Sequence, residues 1–224
     1  MSYIDIHTHT IHPLADVIQL VNVFPGEDHK FGQTGYYSVG LHPWQVEAET
    51  WETKVEWVRS ACGKPHVRAI GETGLDKVIA VPYALQQTVF EKQLALAESE
   101  RKPMVIHCVR AFSEMLAYRK KSDQRLPWIF HWFNADIQIA SELMRKNCYL
   151  SFGHMLFNQT SRACRVFDKL PVDRLFLETD DAGYTIVQIY ERASLIRKMP
   201  QADLKSQIMD NFVHCFQPDR WKTG

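Results

Sequence analysis

Short apolar runs alternate with longer segments along this chain, and the two kinds of segment differ in their hydrophobic spacing. The short runs are five to ten residues long and are bounded by glycine, proline or polar residues, which is typical of buried β-strands. We predict strands over residues 3–10, 17–24, 36–41, 67–76, 103–107, 127–131, 148–153 and 174–180.

The longer segments repeat apolar residues at intervals of three and four, which is the spacing of one helix face. In residues 50–62 this face holds Trp51, Val55 and Val58, and Gly63 follows the end of the predicted helix. Residues 11–15 are too few and too broken to form a helix, so no full helix fits between the first two strands. The remaining helices are predicted over residues 82–100, 111–121, 136–146, 159–170, 186–198 and 202–216.

This alternation predicts an α/β fold, because parallel neighbouring strands need crossover connections. Eight such units favour closure into a TIM-type (β/α)8 barrel, distorted because the helix after the first strand is missing or minimal. An open doubly wound sheet is the alternative, but no glycine-rich nucleotide-binding turn supports it. The chain has no internal repeat, low-complexity tract or flexible linker, so residues 1–224 are predicted to form a single domain.

Metal-ligating side chains stand where several predicted strands end. His7 and His9 are two residues apart, so in an extended strand both imidazoles point to the same side. A lone pair of this kind could equally cap a buried strand. The pattern recurs, however, at the ends of other strands, and the full set is His7, His9, Glu72, His107, His131 and Asp180. In a barrel these ends share one face, where active sites are built from the loops of several strands.

Four imidazoles and two carboxylates exceed the three protein ligands that one catalytic zinc ion usually takes. Two divalent ions that share a carboxylate fit this set better. We predict that Glu72 bridges two ions, the first held by His7, His9 and Asp180 and the second by His107 and His131. Nitrogen and oxygen donors without thiolate suit Zn²⁺ or Mn²⁺, and Mg²⁺ less well. Such ions activate water, so the predicted activity is hydrolysis with Asp180 and Glu72 as catalytic carboxylates.

Composition narrows the functional classes only slightly. The chain has 26 basic and 26 acidic residues, so its overall charge predicts no long-range attraction to nucleic acid or to an anionic membrane. Its five cysteines are scattered without a Cys-X-X-Cys pair, which predicts free thiols in a reducing compartment. The sequence shows no export signal at its N-terminus and no apolar run of roughly 18 residues. We therefore expect a cytoplasmic protein that does not insert into a membrane.

The predicted ligands lie within six short motifs that follow one another along the chain. These motifs are Asp5-Ile6-His7-Thr8-His9, Val39-Gly40-Leu41-His42-Pro43, Gly71-Glu72-Thr73-Gly74-Leu75-Asp76, Pro103-Met104-Val105-Ile106-His107, His131-Trp132-Phe133 and Leu177-Glu178-Thr179-Asp180. Together they resemble the TatD family of metal-dependent hydrolases. The resemblance implies a barrel with one or two divalent ions (Zn, Mn or Mg) on the predicted ligands. It also implies a phosphodiester substrate, because deoxyribonuclease activity is the one most often attached to the family.

The substrate side departs from the family pattern. The segment from Asp181 to Tyr184 replaces a family motif that ends in Asn-Glu-Pro, and Arg110 stands one position later than the family's arginine. The candidates for contact with substrate or for support of the ligands are His42, Glu178, Arg110 and His154. Aromatic rings predicted near the same face could stack on bases or only line the barrel mouth, and these are Trp44, Trp132, Phe133 and Tyr184. The cations that could meet phosphate are Lys77, Arg110 and Arg162.

Two other functions fit the same residues. The chain could hydrolyse an ester, an amide or a phosphomonoester, because an Asp-X-His-X-His motif also opens barrels of the polymerase-and-histidinol-phosphatase type. It could also be a non-catalytic metal-binding protein that has kept its ligands and lost its substrate loop. Asp180 after the last strand and Glu72 in Gly-Glu-Thr-Gly favour the TatD interpretation, with DNA or another phosphodiester as substrate. The sequence makes no prediction about oligomeric state.

Overall fold

A computed structural model describes residues 2–12, 14–33 and 35–216. Its eight strands are parallel and pair in chain order. An isolated parallel bridge between Thr8 and Asp180 joins the first strand to the chain that follows the last one, so the sheet closes into a barrel. The predicted TIM-type fold is confirmed. The strands are β1 Tyr3–Thr8, β2 Val17–Val23, β3 Tyr36–Val39, β4 Val67–Asp76, β5 Met104–Val109, β6 Trp128–Phe130, β7 Cys148–Phe152 and β8 Leu175–Leu177.

Helices link most of the strands. They are α1 Trp51–Cys62, α2 Tyr83–Glu100, α3 Phe112–Lys121, α4 Ile137–Met144, α5 Arg162–Phe167, α6 Ile186–Arg197 and α7 Gln201–Phe216. The predicted lack of a helix after β1 is confirmed, because none of the described residues between β1 and β2 is helical. The described part of the connection from β2 to β3 carries only the 3-10 turn Asp28–Lys30. The barrel is therefore distorted at two consecutive crossovers.

Two buried glutamines of α2 hydrogen-bond to the chain at the C-terminal ends of β3 and β4. The amide oxygen of Gln93 accepts a hydrogen bond from the Leu41 backbone at 2.7 Å, and its nitrogen donates to Thr73 Oγ1 at 2.6 Å. Gln86 accepts from the backbone N–H of Asp76 at 2.9 Å. Because backbone groups buried without partners are costly, these amides hold the chain ends in place. They thereby position the residues that follow Leu41 and precede Asp76.

A buried carboxylate fastens β1 to the end of β8. Asp5 accepts hydrogen bonds from the backbone N–H of Thr179 at 2.9 Å and from its hydroxyl at 2.7 Å. Burial raises the pKa of Asp5 to about 7, against the opposing effect of these hydrogen bonds. His7 lies two residues beyond Asp5, and Asp180 follows Thr179. The hydrogen bonds between Asp5 and Thr179 therefore bring His7, from the first strand, close to Asp180, which follows the last strand.

The cysteines and helices bear on the compartment predictions. Cys62, Cys108, Cys148, Cys164 and Cys215 are all free thiols, as predicted, and all but Cys108 are buried. Within the described ranges, the helices are all too short or too polar to cross a bilayer.

Candidate metal centre

Glu72 lies at the centre of a cluster of histidines at the C-terminal end of the barrel strands. It is 3% exposed, and its two carboxylate oxygens face different groups of imidazoles. Oε2 lies 3.4 Å from His7 Nε2 and 3.5 Å from His9 Nε2. Oε1 lies 2.6 Å from His131 Nε2, 2.9 Å from His107 Nδ1 and 3.1 Å from His42 Nε2. A carboxylate with two such faces has the arrangement of a bridge between two cation sites.

Asp180 completes the group around Oε2. Its Oδ1 lies 3.2 Å from His9 Nε2 and 3.6 Å from His7 Nε2, and its backbone N–H donates to the His7 carbonyl at 2.9 Å. Ligand atoms held about 2.1 Å from a tetrahedral ion lie about 3.4 Å from one another. The separations of 3.2 to 3.6 Å around His7, His9, Glu72 and Asp180 match that spacing. These residues therefore fit a divalent ion.

The chemistry of His7 also fits a metal ligand. Both of its ring nitrogens are buried, and neither has a hydrogen-bond partner among the described residues. Burial lowers the pKa of His7 to about 4, so the ring is neutral at pH 7 and keeps a lone pair free. A buried imidazole without partners is costly unless another group meets it. A metal ion is such a group.

A second group of donors surrounds Oε1. His107 Nδ1 lies 3.2 Å from His131 Nε2, and both nitrogens lie within 3 Å of the same Glu72 oxygen. Two imidazole nitrogens at this separation need a shared proton or a shared cation between them. His42, Glu72 and His107 bring ligand atoms within 4.8 Å of one another, as do His7, His9 and Glu72. The donor set therefore fits two ions, with His42 as an additional member of the second group.

The contacts within the cluster favour ionised carboxylates beside a protonated His9. Burial would raise the pKa of Glu72, but the charge of His131 and hydrogen bonds from His107, His131 and His42 hold it well below its usual range. Burial likewise opposes ionisation of Asp180, and its hydrogen bond with His9 outweighs that effect and lowers its pKa. The same contacts raise the pKa of His9 to about 9 despite burial. Bound cations would replace these protons.

Asp76 and Asn22 support the cluster, although neither residue is among the site residues predicted from the sequence. Asp76 Oδ2 lies 3.3 Å from His107 Nε2, the ring nitrogen that points away from Glu72. Such a carboxylate orients a ligating imidazole and increases its basicity. Asn22 Oδ1 accepts a hydrogen bond from the Glu72 backbone at 2.5 Å. Asp76 could have been predicted from its position four residues after Glu72, because residues separated by an even number of positions in a strand lie on the same face.

A cavity of about 370 Å³ opens above the cluster. Its walls include ligand-type residues of both groups, together with the aromatic rings of Phe24, Trp44 and Trp132. Lysine and arginine are absent from its described lining. A volume of this size suits a small ligand or part of a larger one.

Residues 26–217 match the model of a family described as TatD related DNase. The chain belongs to the TatD family. The match begins after β2, so His7 and His9 lie outside it and their place in the cluster comes from the barrel geometry.

Curated TatD-family relatives match the chain over part of their length. The uncharacterised metal-dependent hydrolase YabD from Bacillus subtilis (strain 168) is 34% identical over 149 residues, 65% of this chain and 58% of YabD. A protein named 3'-5' ssDNA/RNA exonuclease TatD from Cronobacter sakazakii is 34% identical over 149 residues, 64% of this chain and 56% of the relative. The chain thus matches less than two thirds of the length of these relatives.

Solved structures agree with the TatD-family fold. YjjV, a TatD homologue from Escherichia coli K12, superposes with a TM-score of 0.82 at 22% identity, covering 96% of this chain and 98% of YjjV. A TatD-family hydrolase from Entamoeba histolytica gives a TM-score of 0.80 at 15% identity, covering 97% of this chain and 98% of that structure. At these sequence identities the superpositions establish the barrel fold alone.

The remaining predicted residues of this TatD-family chain lie at different distances from the cluster. Glu178 is fully buried, accepts a hydrogen bond from the Trp132 backbone at 2.5 Å and lies 3.9 Å from His131 Nδ1. Burial raises its pKa to about 8. His154 packs its ring against Trp132, with ring centroids 5.3 Å apart. Arg110 is exposed, and the structure does not bring it into the lining of the cavity.

Proposed function

We propose that this chain is a divalent-metal-dependent hydrolase that cleaves phosphodiester bonds, with single-stranded DNA as a substrate. The observation that carries the proposal is the position of Glu72, whose two carboxylate oxygens face separate groups of imidazoles. The names of TatD-family relatives support it, since they include an uncharacterised metal-dependent hydrolase and a 3'-5' ssDNA/RNA exonuclease.

In this proposal the metal ligands are those predicted from the sequence. The first ion would be held by His7, His9 and Asp180, the second by His107 and His131 with His42 beside them, and Glu72 would bridge the two. The nitrogen and oxygen donors favour Zn²⁺ or Mn²⁺ over Mg²⁺. When bound, such ions lower the pKa of water and polarise the phosphoryl group.

The side chains of the cluster would handle the proton of the attacking water. Asp180 lines the cavity and its pKa is lowered, so its carboxylate could accept that proton as the water oxygen bonds to phosphorus. The bond from phosphorus to the leaving oxygen then breaks, and the leaving oxygen would take up the proton that Asp180 accepted from the water. Asp76 would orient the His107 ring, and Glu178 would hold the backbone at Trp132 through its hydrogen bond.

Two further proposals concern the whole chain. Residues 1–224 would form a single hydrolase domain, a proposal supported by the membership of all eight strands in one sheet. Its compartment would be the reducing cytoplasm, which the five free thiols support.

Hydrolysis of an ester is the second candidate function. The composition of the cavity lining favours ester hydrolysis, because the lining holds no lysine or arginine among the described residues. Anionic phosphodiesters are commonly bound by such cations. Lys77, one of the predicted phosphate contacts, instead pairs with Glu114 at 2.5 Å. An uncharged ester would need no such cation.

The rates of the wild type and of Asp180→Asn on three substrates test the proposed function. The substrates are single-stranded DNA, a small generic phosphodiester and a generic carboxylic ester, each assayed with Mn²⁺, with Zn²⁺ and with excess chelator. We expect metal-dependent cleavage of both phosphodiesters and a loss of more than about a hundredfold in Asp180→Asn, because a ligand and proton acceptor is removed. Cleavage of the ester alone would favour the second candidate. Rates that are equal in the variant and unaffected by chelator would contradict both.

A further inference from the structure

Two tryptophans at the mouth of the cavity are far more exposed than a structural role requires. Trp44 is 64% exposed and Trp132 is 42% exposed, although both line the cavity that holds the metal-ligand cluster. Large aromatic side chains dominate binding energetics when a partner covers them. Exposed rings beside a polar cluster therefore indicate a ligand with its own flat, apolar surface.

The ring of Trp44 is held in place from below. It belongs to the 3-10 turn Pro43–Gln45, and its indole N–H donates a hydrogen bond to Asp76 Oδ2 at 2.7 Å. Its backbone N–H donates to His42 Nδ1 at 3.1 Å. The ring also meets His42 and His107 at steep angles, with centroids 5.2 and 6.1 Å apart. The residue nevertheless stays 64% exposed at the mouth. A ring fixed in this way loses little conformational entropy when a ligand stacks on it.

Trp132 is fixed by different contacts on another side of the mouth. It follows His131 in a left-handed backbone conformation with φ of 43°, and Glu178 accepts its backbone N–H. Its ring packs against His154 at an interplanar angle of 61°. Trp132 follows β6 and Trp44 follows β3, three positions apart in an eight-stranded barrel. The two rings thus stand beside the cluster at separate places rather than stacking on one another.

The charge of the cavity lining makes stacking on these two rings more important for binding nucleic acid. Its described lining includes the carboxylates Glu72, Asp180 and Asp181 but neither lysine nor arginine. Contacts of lysine and arginine with phosphate, which usually supply much of the affinity for nucleic acid, are therefore lacking in this lining. Stacking on a base does not depend on phosphate charge and tolerates every base, because each base has a flat π-face.

We propose that Trp44 and Trp132 form two base-binding subsites that hold the nucleobases on either side of the scissile phosphate. This inference rests on the proposed phosphodiesterase function and names the feature of the substrate that the cavity recognises. The ligand class is a dinucleotide unit of single-stranded nucleic acid, with one base stacked on each ring. Recognition then depends on the presence of bases and little on their identity.

The test compares a dinucleoside phosphodiester with analogues that lack one or both bases. We expect kcat/KM of the wild type to fall by about tenfold for each base removed. In Trp132→Ala and Trp44→Ala the advantage of one base should disappear, whereas Trp132→Phe and Trp44→Phe should keep most of it. The ratio of rates with and without bases is the readout, so a general loss of activity does not imitate the result. Leu195→Ala is the control, because Leu195 is 71% exposed and outside this cavity.

Equal rates with and without bases in the wild type would overturn the inference, as would an unchanged ratio in both alanine variants. If the dinucleotide is not hydrolysed at all, the proposed function fails. Calorimetric titration of the same compounds onto the metal-loaded protein then decides the inference separately. Base-dependent affinity that the alanine variants lose supports the two subsites, and affinity that is the same with and without bases overturns them.

Discussion

Replacing Glu72 by glutamine is expected to lower metal-dependent hydrolysis by more than about a hundredfold and to reduce the metal bound per chain. The change keeps the size of the side chain but removes the negative charge that lies within 3.5 Å of His7, His9, His42, His107 and His131. Without that charge, two cations close together would repel one another more strongly. An amide also offers one oxygen where the carboxylate offers two, so it cannot bridge both groups.

Glu91→Gln is the matched control for this prediction. Glu91 is exposed on α2, accepts a hydrogen bond from Tyr118 at 2.8 Å and is not part of the cavity lining. Hydrolysis and metal content of this variant should equal those of the wild type. If Glu72→Gln kept full activity and full metal content while Glu91→Gln did the same, Glu72 would have no bridging role.

Gly74→Ala is expected to lower the free energy of unfolding by about 3 kcal/mol or more, or to prevent folding. Gly74 lies in β4 beside β5, and a Cβ added there would overlap the backbone carbonyl oxygen of His107. Because that oxygen belongs to a central strand, it cannot move aside as a flexible side chain would. The strain would also shift His107 relative to Glu72. Urea denaturation followed by circular dichroism measures the effect.

Gly183→Ala provides the comparison for Gly74→Ala. A Cβ added at Gly183 would meet nothing within 4 Å, so its stability should match the wild type to within about 0.5 kcal/mol. Equal stability of both variants would mean that β4 and β5 do not approach as closely at Gly74 as the structure has them.

The barrel and the six ligand-type residues could be predicted because both follow from regular spacing. Apolar runs mark strands, and in a parallel barrel the residue after each run faces one end, so His107 and His131 could be placed together without knowing any contact. The lack of an α-helix in the second crossover also follows from spacing, because the polar segment after Phe24 carries no hydrophobic periodicity.

Other parts of the site depend on distances between strands, which spacing does not specify. His42 was expected near the site, but its 3.1 Å approach to Glu72 depends on how Gln93 holds Leu41. In the sequence Asp5 is one polar residue within an apolar strand. Its hydrogen bond with Thr179 forms only because the barrel closes. Arg110 follows β5 closely, yet its left-handed backbone, with φ of 54°, leads the chain away and leaves it exposed.

The number of metal ions bound per chain decides whether Glu72 bridges two cation sites. Protein equilibrated with Mn²⁺ or Zn²⁺ is separated from free metal, and bound metal is measured by mass spectrometry for the wild type, His9→Asn and His107→Asn. Each substitution removes a ligand from one side of Glu72 only. The account predicts about two ions per wild-type chain, about one in each variant, and hydrolysis that rises with occupancy in the wild type. Wild-type protein that binds no metal, or that hydrolyses its substrates equally well without it, would contradict the account.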